Sequence, residues 1–256
     1  MGFLVGLQSG KKPLVYNMGA QVAIVDYGMG NLFSVKQACE YVGLMPVITS
    51  SRQEIERSEA VILPGVGAFG DAMDTLDRLH LVEVLQDVAD SPKPLLGVCL
   101  GMQLLMSEST EFGKRSGLGI IEGEVTRLQT SVERLRQIKV PQVGWNRICF
   151  QGPEEDQTIT KGNDPKRSIP PEWKSPLFKG LPDGEYMYFV HSFYARPVDV
   201  DVIVSTTQYG PTKFCSSLRR NNVLGCQFHP ERSGPGGLHI YRNLAELVTT
   251  ATVNPD

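Results

Sequence analysis

Four short apolar runs, at residues 22–25, 46–48, 60–63 and 95–98, alternate with segments of helical spacing. Each run is too short for a helix and lacks polar alternation, the pattern of a strand buried on both faces. Such strands, alternating with helices, predict an α/β fold with a central parallel sheet and helices on both sides. The helical segments are 32–42, 72–89 and 100–107. In the second, Met73, Leu76, Leu79, Val84, Leu85 and Val88 fall on or near one face. Sheets of this type place their sites at the carboxyl ends of the strands. The loops at Asp26, Pro64 and Cys99 each follow a strand and are expected to share one edge.

The second half changes character. Strands are predicted at 124–128, 145–150, 186–190, 202–207 and 224–228, with shorter connections, as in a smaller antiparallel sheet. Residues 151–180 are rich in Pro, Gly and charge and predict a long surface loop. Residues 1–19 read as an extension, too short for a membrane span and without the basic start of a signal peptide. One domain over 20–256 is large enough to bury a core without disulfide or metal staples.

Charge and cysteine usage remove several function classes. The formal net charge of -3 leaves no basic excess to neutralise phosphates, so no nucleic-acid partner is expected. No run of eighteen apolar residues occurs, so no membrane partner is expected either. The five cysteines are scattered without a C-x-x-C pair, which fits neither a disulfide framework nor a zinc ribbon. A reducing cytoplasm is the simplest setting. The four histidines are scattered too, and no metal site is expected.

Gly97–Gly101 reads G-V-C-L-G, the G-x-nucleophile-x-G form of a strand-to-helix elbow. Glycines on either side relieve crowding at the turn, so Cys99 is presented and the Leu100 amide can face a reacting carbonyl. Taken alone, a cysteine ending an apolar strand is more often packing than chemistry. A second motif changes the balance. In Q-F-H-P-E, His229 and Glu231 are two apart and share a face of an extended segment. That suits an imidazole base oriented by a carboxylate. The third motif, P-G-V-G-A-F-G at 64–70, lacks the Lys-Ser/Thr of a P-loop. The glycines at 28 and 30 fail as a dinucleotide fingerprint, because Phe33 stands at the third position. The remaining use of the 64–70 loop is to offer backbone N–H groups. An amide at Val66 or Gly67, with that of Leu100, could hold a developing oxyanion.

G-V-C-L-G-M-Q-L-L, P-G-V-G-A-F-G, D-Y-G-M-G-N, G-W-N, Y-F-V-H-S-F-Y and Q-F-H-P-E-R-S together resemble the class I (triad) glutamine amidotransferases. The match runs from about Val22 to Leu247. The resemblance implies a flavodoxin-like, mostly parallel central sheet with helices on both faces, plus a smaller sheet. It implies that Cys99 attacks the side-chain amide of L-glutamine, that His229 moves the thiol proton to the leaving ammonia, and that Glu231 orients His229. A glutamyl thioester forms and water hydrolyses it, with no cofactor and no metal. Gly65, Gln103, Glu111, His191, Ser192 and Phe193 are implied to hold the substrate.

Within that family the segments look like the branch that passes ammonia to a cyclase in histidine biosynthesis. The resemblance implies a separate TIM-barrel cyclase subunit, a heterodimer, and turnover that depends on the partner. Asn31, Pro141 and Trp145 match positions near that interface and the ammonia entrance. Three features depart from the branch: Gln142 and Val143 replace a His-Met pair, Phe193 stands where Tyr is common, and the 151–180 loop is long. They leave open a related branch that feeds a sugar amidotransferase of surface-polysaccharide synthesis.

Overall fold

Alternate residues of a strand point to opposite sides, so an all-apolar strand needs a core on each side of its sheet. The computed structural model describes residues 19–132, 136–150 and 173–253 and shows that arrangement for the runs at 22–25, 60–63 and 95–98, whereas the run at 46–48 lies in the edge strand of the sheet and leaves Ile48 exposed. The first half runs β1 (Gln21–Val25), α1 (Leu32–Tyr41), β2 (Met45–Thr49), α2 (Arg52–Arg57), β3 (Ala60–Leu63), α3 (Phe69–Arg78), α4 (Val82–Ala89), β4 (Leu95–Val98), α5 (Leu100–Leu104), β5 (Met106–Ser109) and β6 (Arg115–Ser116). The second runs β7 (Ile121–Arg127), the short pair β8 (Ser131–Val132) and β9 (Arg136–Gln137), β10 (Gln142–Phe150), β11 (Glu185–His191), β12 (Phe193–Pro197), β13 (Ile203–Tyr209), β14 (Thr212–Arg220), β15 (Val223–Cys226) and α6 (Gly234–Val253). Ile24, Ile62, Leu96 and Leu224 share one core with Val35 and Cys39 of α1 and Tyr241 and Leu244 of α6. Their strand neighbours Ala23, Val61, Leu95 and Val223 share the other with Ile55, Leu76 and Leu85 of α2–α4.

The large sheet has nine strands in the order β11-β10-β13-β14-β15-β4-β3-β1-β2. Strands β2, β1, β3, β4 and β15 pair in parallel. Their carboxyl ends therefore lie on one edge, with the loops after β1, β3 and β4 and the Q-F-H-P-E segment after β15. The other large-sheet pairs are antiparallel. The smaller sheet exists with a different membership from the one expected. It joins β12 and β7 to β5 and β6, and its β5–β7 pair is parallel. Strands β10, β11, β13 and β14 instead extend the large sheet. Tight turns explain this: Gly210 at φ 56° and Asn221 at φ 54° fold β13 and β14 back onto β15, which already lies beside β4.

Two helical expectations are corrected. The segment 72–89 is two helices, because His80 adopts φ 56° and ends α3. The Leu81 amide bonds back to the Leu76 carbonyl at 2.9 Å, which buries Leu81 and leaves Leu79 partly exposed. The segment 100–107 is helical only to Leu104. Met106–Ser109 instead pairs with β7, so strand pairing overrides its helical spacing. The expected extension lies outside the described residues apart from Gly19, as does the expected loop up to 172. Beyond it, Trp173 sits 3.9 Å from the Phe150 ring, and Leu177 and Phe178 enter the core.

Candidate active site

The elbow forms at the end of β4. Cys99 has φ 54° and ψ -109°, a strained conformation for a residue with a side chain. Its amide still extends the β4–β15 ladder, bonding the Cys226 carbonyl at 2.7 Å. The flanking glycines are steric requirements. A Cβ at Gly101 would lie 1.7 Å from the Leu63 carbonyl oxygen, and one at Gly97 would lie 2.8 Å from that of Gly101. Leu100 opens α5, so its N–H has no acceptor within the helix.

One strand away, His229 Nδ1 lies 2.8 Å from Glu231 Oε1. The pair is clamped from beneath: the His229 amide bonds the Tyr188 carbonyl at 2.9 Å, and Ser233 Oγ bonds both the His229 carbonyl and the Tyr188 amide. His229 Nε2 is buried. Burial pulls the His229 pKa down. The Cys99 sulfur beside it and the Glu231 carboxylate, each by charge and hydrogen bond, more than offset that, and the imidazole is pushed up to about 10. Besides the His229 imidazole, the Cys99 sulfur has two further polar neighbours. Its S–H can donate to the Val190 carbonyl at 3.8 Å, and Gln227 Nε2 donates to it at 3.7 Å.

A cavity of about 250 Å³ opens above Cys99, lined by Val66, Gly67, Leu100, Gln103, Glu111, Val190, His191, Ser192 and Phe193. That is below the usual range for drug-sized ligands and suits a single amino acid. A larger cavity of about 750 Å³, lined by Asp87, Asp90, Arg220 and Asn222, opens where β4 and β15 begin and holds no nucleophile–base pair. Size alone therefore does not pick the site.

The sequence-predicted residues are differently placed. Gly65 is buried under the loop, where a Cβ would lie 2.2 Å from the Tyr27 hydroxyl, which itself bonds the Pro64 carbonyl. Val66 and Gly67 are exposed at the rim, and Gly67 has φ 110°. Gln103 Nε2 bonds both the Phe193 carbonyl at 2.8 Å and Gln227 Oε1 at 3.0 Å, so what it can offer a ligand is its carbonyl oxygen. Glu111 Oε2 accepts from the Phe69 amide at 2.7 Å, which ties it to the start of α3. His191 is driven down to about 4 by burial and by the nearby positive His229, against the pull of the Phe193 carbonyl 2.8 Å from its Nδ1. It is therefore neutral at physiological pH, and its Nε2 is buried and unpartnered.

Asn31, Pro141 and Trp145 lie outside the cavity. Asn31 caps α1 by accepting from the Ser34 amide. Trp145 is 55% exposed and meets the Tyr188 ring edge-on at 6.0 Å. Sequence reasoning assigned no role to Gln227, Ser233, Val190 or Tyr27. All four stand within segments it singled out, Gln227 and Ser233 in Q-F-H-P-E-R-S, Val190 in Y-F-V-H-S-F-Y and Tyr27 in D-Y-G-M-G-N, but their contacts appear only once the strands are paired.

Comparisons with known proteins give the family and the fold. The family model described as glutamine amidotransferase class-I matches residues 23–247. Imidazole glycerol phosphate synthase subunit HisH of Moorella thermoacetica is 43% identical over 230 residues, covering 90% of this chain and 96% of that protein. The protein of that name in Chlorobaculum tepidum is 39% identical, covering 88% of this chain and 100% of its own. Among solved structures, PurLQS from Thermotoga maritima superimposes with TM-score 0.60 at 17% identity, covering 88% and 97% of the two chains. This last likeness concerns the fold alone.

Proposed function

This chain belongs to the class-I glutamine amidotransferase family, and from that membership we propose how its site works. It is a glutamine amidotransferase, the glutaminase subunit of an imidazole glycerol phosphate synthase. In our reading, Cys99 attacks the side-chain amide of glutamine and His229 delivers a proton to the departing ammonia. Glu231 holds the imidazole, and water then releases glutamate from the thioester. One observation carries the assignment: the left-handed elbow puts Cys99 one strand from a His229–Glu231 pair at 2.8 Å, on the shared carboxyl edge of the sheet. In the same reading the amides at Val66 or Gly67 and at Leu100 hold the oxyanion. Gly65, Gln103, Glu111, His191, Ser192 and Phe193 hold the substrate.

The ammonia goes to a cyclase subunit of TIM-barrel form, bound over Asn31, Pro141 and Trp145. Exposed apolar side chains at Phe33, Val143, Trp145 and Tyr186 support a partner there. Among the described residues no helix is long and apolar enough to cross a membrane. The five cysteines are free, which suits the cytoplasm.

The resting site looks incomplete. The Cys99 sulfur has the Val190 carbonyl, an acceptor, within reach, and Val66 stands half exposed at the rim. Glutamate formation by the chain alone should therefore be slow. Adding the cyclase loaded with its nucleotide should raise it by ~10²–10³, the worth of one oxyanion donor. A full rate without the partner contradicts partner control. A rise with a sugar amidotransferase but not with the cyclase contradicts the assigned acceptor.

A further inference from the structure

Gln227 is fully buried, between Cys226, which ends β15, and the Phe228-His229 segment. Its amide orientation can be deduced. The Phe193 carbonyl oxygen can only accept, so the Gln103 atom 2.8 Å from it is the nitrogen. That same nitrogen lies 3.0 Å from Gln227, which must meet it with Oε1. Gln227 Nε2 is then turned to Cys99 Sγ at 3.7 Å. The geometry points to Gln227 as a positioning residue for the nucleophile: two amides in series, oriented by the Phe193 carbonyl, deliver an N–H donor to the Cys99 sulfur.

The donor matters because the Val190 carbonyl, 3.8 Å from the sulfur, is an acceptor. An acceptor retains the thiol proton and repels a negative sulfur, whereas an N–H donor does the reverse. Gln103 also lines the substrate cavity. A ligand donating to the Gln103 carbonyl oxygen polarises both amides in the direction that strengthens the last bond to sulfur. The relay thus couples an occupied cavity to a readied nucleophile. The inference rests on Cys99 being the nucleophile.

Gln227→Met keeps the length of the side chain and removes the donor. The measurement is the rate of Cys99 alkylation by iodoacetamide against pH, read by mass on the Cys99 peptide. The variant should shift the half-maximal pH upward by about one unit, or roughly tenfold in rate below that midpoint, with little change in unfolding midpoint. Gln103→Leu should shift it the same way by less. An unchanged profile in folded Gln227→Met overturns the relay and leaves Gln227 a packing residue. Should that variant not fold, the native protein decides. The Gln227 side-chain amide resonance must move with pH in step with Cys99 alkylation, and a flat resonance overturns the relay. Full alkylation of Cys99 in the native complex separates the two readings, since surviving ammonia release refutes the nucleophile itself.

Discussion

Replacing Cys99 with alanine lowers glutamine-dependent ammonia release by about 10⁴-fold or more while leaving the fold standing. The size follows from the chemistry: no other cysteine, hydroxyl or amine lines the cavity except Ser192, and no base is paired with it. The fold should survive because alanine pays the same left-handed backbone cost as cysteine at φ 54° and fills most of its volume. Its unfolding midpoint should stay within about 2–4 °C, the shift that goes with ~1 kcal/mol in a domain of this size. His229→Ala should lose activity on a similar scale. Glu231→Ala should lose less, because the Tyr188 and Ser233 contacts still hold the His229 backbone. Steady-state ammonia release in the partner complex is the check. A Cys99→Ala protein that retains turnover refutes the assignment.

Gly101→Ala acts on the fold itself. The added methyl would sit 1.7 Å from the Leu63 carbonyl oxygen, so β3 and α5 must separate or the elbow must unwind. Backbone on both sides leaves no flexible side chain to give way. We expect a loss of at least about 3 kcal/mol, which is a large share of a net stability of about 5–15 kcal/mol. The unfolding midpoint should fall by roughly 6–12 °C, or the protein should fail to accumulate. Gly70→Ala is the control. It lies in α3, where the new methyl meets only the Arg115 side chain at 3.5 Å, and a helical Gly→Ala change is neutral or favourable. Equal midpoints for the two variants would contradict the packing account of the elbow.

The strands that carry the site were legible because their burial on two faces writes itself as continuous apolar sequence. Ala60–Leu63 and Leu95–Val98 have the bounds expected of them. The Cys99 elbow and the His229–Glu231 pair were legible for a different reason, since both are local motifs whose geometry is set within a few residues. What was hidden depends on distant partners. His80 breaks a helix without a glycine or proline to announce it, and the break is fixed only by burying Leu81. Met106–Ser109 keeps helical spacing yet pairs with β7, fifteen or so residues on. β14 mixes apolar, hydroxyl and basic residues, and its place in the large sheet comes from its two hairpin turns. α6 begins G-P-G-G, a composition that reads as loop. In the site, Gln103 was expected to touch substrate. The structure adds that its amide nitrogen is already committed to Phe193 and Gln227, which no spacing rule could reveal.

In this assignment Cys99 alone attacks the side-chain amide carbon of glutamine. A glutamine analogue with an alkylating diazoketone in place of its amide tests it most directly, using the chain bound to its loaded cyclase. Peptide mass analysis should find one label, on Cys99, with ammonia release falling in proportion to the labelled fraction. A label on Cys39, Cys149, Cys215 or Cys226, or full turnover after Cys99 is fully labelled, would contradict the account.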